Sequence, residues 1–134
     1  MAKKADPPQF SESISCFCRT MEDAIKDYDW NSAEVVRLDK LTQDYLHKLE
    51  LEELDYGERA KLATQLAKCR QSRRESKDTV EVLEPLVQFL CSEKGKNMLN
   101  LTREALGKTR KVEERMQNRI YFHRVLGEKP IRQP

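Results

Sequence analysis

Apolar side chains recur along this chain at alternating intervals of three and four, the spacing that lines up one face of an α-helix. Phe10, Ile14, Phe17, Met21, Ala24 and Tyr28 form the first such stripe and predict a helix over about residues 10–28. Ser11 or Pro7-Pro8 marks its start, because proline is tolerated only before or within a first turn. The polar run Asp27-Tyr28-Asp29-Trp30-Asn31-Ser32 predicts a break. Asn31 with Glu34 three positions on fits a capping box, so a second helix is expected there, with Val35, Leu38, Leu41, Tyr45 and Leu49 inward.

The strongest periodic signal follows a second box, Asp55 with Glu58. Leu62, Leu66, Cys69, Arg73, Ser76, Val80, Leu83, Val87 and Leu90 keep a strict four-three alternation, as in a coiled-coil seam. Pro85 lies inside it and should kink or split this long third helix, since its ring removes a hydrogen bond and clashes one turn back. Gly95 reads as a stop. Asn97 or Asn100 then caps a fourth helix whose stripe is Leu101, Ala105, Thr109, Val112, Met116 and Ile120. The expected fold is all-α: an antiparallel bundle of about four helices in one domain over residues 1–126. The Pro-containing segment 127–134 reads as a strap or a disordered tail.

Composition agrees. The chain has 134 residues, enough for one ordinary core, and its four glycines and five prolines are too few for the turns of a sandwich or barrel. No apolar segment follows the basic start, and the longest apolar stretch, Pro85 to Cys91, is interrupted by Gln88. No secretion signal and no membrane partner are expected. Cys16, Cys18, Cys69 and Cys91 are then expected as reduced thiols of a cytoplasmic protein. Charge is distributed unevenly. Residues 1–67 carry nine Lys and Arg against fourteen Asp and Glu, net −5, and residues 68–134 carry sixteen against nine, net +7. Such asymmetry implies either head-to-tail attraction within the chain or a phosphate-bearing partner for the basic half.

Two polar residues interrupt the third helix's seam, Arg73 and Ser76. A guanidinium there needs a partner, and a hairpin turning near residue 54 places Asp39 roughly opposite. That pair either fixes the register of the two helices or forms part of a polar pocket for a ligand's phosphate. Arg70, Arg73, Arg74 and Lys77 cluster at helical spacing, and Arg110, Lys111 and Arg115 form a second cluster, with Arg119, Tyr121 and Arg124 beyond. The guanidinium fork suits phosphate because it binds two oxygens at once. Cys16-Phe17-Cys18 is too tight for a structural zinc pair, and His47 and His123 lack matching ligand spacing. No nucleophile-base arrangement or glycine-rich phosphate loop appears, so neither a cofactor nor enzymatic activity is expected. Several stripes competing for one small core imply a homo-oligomer, at least a dimer.

The blocks Leu38-Asp39-Lys40, Asp44, His47 and Glu50, then Arg73-Arg74, Lys77-Asp78 and Glu81, resemble small proteins encoded by phages and prophages of Gram-positive bacteria. The closing segment Arg110-Lys111, Asn118-Arg119, Tyr121 and Arg124-Val125 is similar to theirs, so the resemblance spans about residues 35–125. It departs at 51–57, which is acidic here rather than Asn-rich. The resemblance implies a non-enzymatic accessory protein binding nucleic acid, a nucleotide signal or a host defence protein. It carries His47, Glu50, Arg73, Arg74, Lys77, Arg119 and Tyr121 as candidate binding residues, to which the charge clusters add Arg110 and Lys111. Asp27-Tyr28-Asp29-Trp30 is also similar to the acidic-Trp step of flagellar export chaperones. That alternative implies a groove lined by Trp30, Tyr45 and Leu49 that holds a helical segment of an exported partner.

Overall fold

The computed structural model describes residues 9–121, 124–127 and 131–132. Among the described residues it is predominantly helical, with three helices rather than four, α1 (Phe10–Leu51), α2 (Tyr56–Cys91) and α3 (Glu93–Gln117), joined by short irregular segments. After α3, Ile120–Tyr121 (β1) pairs antiparallel with Ile131–Arg132 (β2). Pro7, Pro8, His123 and most of the expected tail lie outside the described residues. No helix described is long and apolar enough to cross a membrane.

The predicted break at residues 27–32 is absent. α1 is one helix of 42 residues. Its small polar side chains bond backward along their own helix instead of capping a new one. The Asn31 amide donates to the Asp27 carbonyl at 2.7 Å, as the Thr20 hydroxyl does to Cys16 at 2.8 Å. Glu34, the supposed second half of a box, accepts from Arg37 at 2.8 Å and 2.9 Å. Those bonds hold the Glu34 carboxyl below its ordinary range and push the Arg37 guanidinium up.

The start of α2 follows its sequence signal. Asp55 is the N-cap, its carboxylate accepting from the Glu58 N–H at 2.7 Å. Pro85 does not split the helix, which runs on to Cys91, where the Ser92 N–H closes it on the Gln88 and Phe89 carbonyls. Gly95 is therefore no stop. It lies buried in the first turns of α3, which begins at Glu93 rather than at an asparagine cap. Ile120, placed in the fourth helix's stripe by its spacing, belongs to β1.

The expected domain of residues 1–126 takes the form of two compact units, Glu22–Ser92 and Met1–Met21 with Glu93–Pro134. The first is a hairpin of α1 on α2. All nine α2 seam positions are buried or half-buried, with Leu62, Cys69, Ser76, Val87 and Leu90 innermost. Leu38, Thr42 and Ala24 are buried on α1. The Thr42 hydroxyl donates to the Leu38 carbonyl at 2.8 Å, and the Cys69 thiol reaches the same oxygen at 3.4 Å, fastening the two helices at one level.

In the second unit the expected stripes face inward only in part, Ile14 and Met21 of α1 being half-buried. Ser11 and Cys18 of α1 are buried, whereas Phe10 and Phe17 stand exposed. On α3 the inner row is Gly95, Leu99, Thr102, Leu106, Thr109 and Glu113. The expected row leaves Leu101, Ala105, Val112 and Met116 exposed. Cys16 and Cys91 are exposed, Cys18 and Cys69 buried, and all four thiols are free.

Candidate phosphate-binding surface

Arg73 enters the α1–α2 seam because the four-three spacing of its helix places it there, between Cys69 and Ser76. The hairpin register brings Asp39 of α1 opposite, and the Arg73 Nε donates to an Asp39 carboxylate oxygen. Arg70, one turn earlier, shares the same oxygen at 3.7 Å. The Arg73 side chain is 23% exposed and that of Asp39 47%, so the pair sits at the seam's margin, where a carboxylate needs little desolvation. Arg73 is thereby engaged inside the hairpin.

Its neighbours are not. Arg74 and Lys77 are exposed and have no ion-pair partner among the described residues. Together with Arg70 they follow intervals of four and three, which sets the three cations along one edge of α2 beside the seam. A long anion passing along that edge meets Arg74 and Lys77, with Arg70 beside them also facing Asp39.

His47 and Glu50 do not join them. Both are exposed on α1 toward the hairpin loop. They lie roughly 12 Å and 16 Å along the helix from Asp39 at 1.5 Å per residue. At that end Lys48 lines a cleft with Glu58, Lys61 and Leu62. Arg110, Lys111 and Arg119 belong to the other compact unit and are exposed. Arg110 borders a cleft there with Arg19, Glu12 and Ser11. Tyr121 contributes backbone to β1, and its side chain lies outside the described residues.

Comparison with family models, curated proteins and solved structures yields no match. The site therefore rests on its own geometry.

Three features escaped sequence reasoning. Arg70 shares Asp39, which helical spacing alone could have suggested. The Cys69 thiol acts as a donor within the seam, and no sequence signal distinguishes it from an ordinary small apolar residue. Glu113 holds the start of α1 through Ser11, at 3.0 Å from its N–H and 2.5 Å from its hydroxyl. Those bonds, the hydroxyl's foremost, hold the Glu113 carboxyl below its ordinary range. For the chaperone-like groove, Tyr45 and Leu49 are half-buried on the inner face of α1, whereas Trp30 is 63% exposed four turns upstream.

Proposed function

We propose that this chain is a non-enzymatic binding protein that engages the phosphate backbone of a nucleic acid through the exposed edge Arg70, Arg74 and Lys77 of α2. The observation that carries the reading is the division of labour between adjacent arginines. Arg73 is tied to Asp39, and Arg74 and Lys77 are exposed without a carboxylate. With the seam guanidinium engaged, phosphate is taken up on the surface, which suits a polymer better than an enclosed mononucleotide. The resemblance to phage-encoded proteins, and free thiols in all four cysteines, favour action in the cytoplasm of a bacterial host.

The test is fluorescence anisotropy of the purified chain with duplex DNA, single-stranded DNA and RNA over a salt series. One of these polymers binds, with affinity falling as salt rises, and Arg74→Glu with Lys77→Glu removes the binding while circular dichroism is unchanged. Undiminished affinity in that variant overturns the assignment. A salt-tolerant thermal shift with a mononucleotide would replace the polymer by a small-molecule ligand.

A further inference from the structure

The second compact unit buries Leu99 and half-buries Leu106, Ile14 and Met21, yet leaves Phe10, Phe17, Leu101, Val112 and Met116 exposed. On α1, Phe10, Ile14, Phe17 and Met21 share a face by their four-three spacing, with Phe10 65% exposed. On α3, Leu101, Ala105, Val112 and Met116 share another, with Leu101 55% exposed. The two faces meet where Ile14, Met98, Leu101 and Ala105 line one open cavity of about 470 Å³. Two helices cannot cover such rows by themselves, and a third laid along them completes a bundle.

Charge identifies the occupant. Lys94 lines the cavity, and Lys108 sits within the α3 row between Ala105 and Val112. Lys111 and Arg115 follow along its outer border, with Glu93 and Glu104 the acidic residues of the same row, so the cations predominate toward the C-terminal half. We propose that this face is the docking groove for an acidic amphipathic helix of a partner protein. Its apolar positions fill the cavity over Ile14, Leu101 and Ala105, and its carboxylates meet Lys108, Lys111 and Arg115. A second copy pairing through the same face would set one basic border against another. A lipid surface would leave the concavity unfilled and its polar walls, Asn97 and Thr102, facing acyl chains. This surface is independent of the α2 edge.

The probe is a fluorescein-labelled peptide of about three heptads, leucine at the inner positions and mostly glutamate outside. A scrambled peptide of the same composition and phosphatidylglycerol vesicles serve as the other arms. With the full chain at about 0.15 M salt, the amphipathic peptide binds by anisotropy and the scrambled one does not. Lys108→Glu with Arg115→Glu weakens binding by about tenfold or more, as does Leu101→Ala with Val112→Ala, a milder change at exposed positions. Arg74→Glu with Lys77→Glu leaves it intact. The proposal is overturned by equal affinity for the scrambled peptide, by no peptide binding, or by binding to vesicles alone. It is likewise overturned if light scattering finds a dimer that the Leu101/Val112 variant dissolves.

Discussion

Glu113 of α3 holds the first turn of α1 across 102 positions of sequence, accepting from both the N–H and the hydroxyl of Ser11. The opening N–H groups of a helix have no partner within it, and a side chain a few residues upstream usually supplies one. Here a carboxylate from another helix does so. Its negative charge lies at the positive end of the α1 dipole, so electrostatics and hydrogen bonding favour the same ionised state.

Acid should loosen this contact. The folded-state pKa of Glu113 is depressed below 4.5, so its contribution is fully present above the unfolded value and is lost as pH falls through the folded one. Glu113→Gln should therefore melt lower than the parent at neutral pH, with the gap closing toward acid. Glu34, held down by Arg37, leaves both proteins some acid sensitivity. Thermal melts across pH 2–7 check this, and a constant gap would refute it.

Asp39→Ala should destabilise the α1–α2 hairpin by about 1 kcal/mol, a modest cost because the pair is partly exposed. Adding Arg73→Leu removes the stranded guanidinium and restores an apolar seam position, so the double variant should recover that loss. Urea titrations of the four members of the cycle measure the coupling.

Ser76 is 7% exposed and has no hydrogen-bond partner among the described residues. Burying an unpaired hydroxyl is costly, so Ser76→Ala should raise stability by up to about 1 kcal/mol. A lowered melting temperature would mean that the hydroxyl is satisfied.

Asp55→Ala should cost about 1 kcal/mol, because the Glu58 N–H loses its acceptor. Hydrogen exchange at residues 56–59 should quicken most. Uniform exchange across α2 would argue against a local cap.

Pro85→Ala should stabilise α2 by about 2 kcal/mol, the helix penalty of proline less the unfolded-state entropy that proline removes. The helix continues past this residue, so the missing N–H can be restored without rebuilding a turn. Unchanged stability in denaturant would mean that the neighbours have adapted to the ring.

The α2 seam was fully legible because one stripe meets one neighbour, and the same periodicity led to Asp39 as the partner of Arg73. The α1 break was not, because Asn31 serves as well for an i−4 bond within a helix as for a cap. In α3 the most apolar row is not the inner one. Ser11, Cys18 and Glu113 pull the other row inward through size and hydrogen bonding, and periodicity alone does not record which neighbour a helix meets. The candidate surface was readable as a cluster of cations. Which of them keeps its charge free depended on a carboxylate from another helix.

Each compact unit holds one exposed and one buried thiol: Cys16 with Cys18, and Cys91 with Cys69. The unmodified chain thus contains two stopwatches with their own reference marks. A thiol reagent should label Cys16 and Cys91 at once. It reaches Cys18 and Cys69 only as fast as each unit opens. Mass spectrometry of the labelled peptides would time those two openings separately, with no mutation at all.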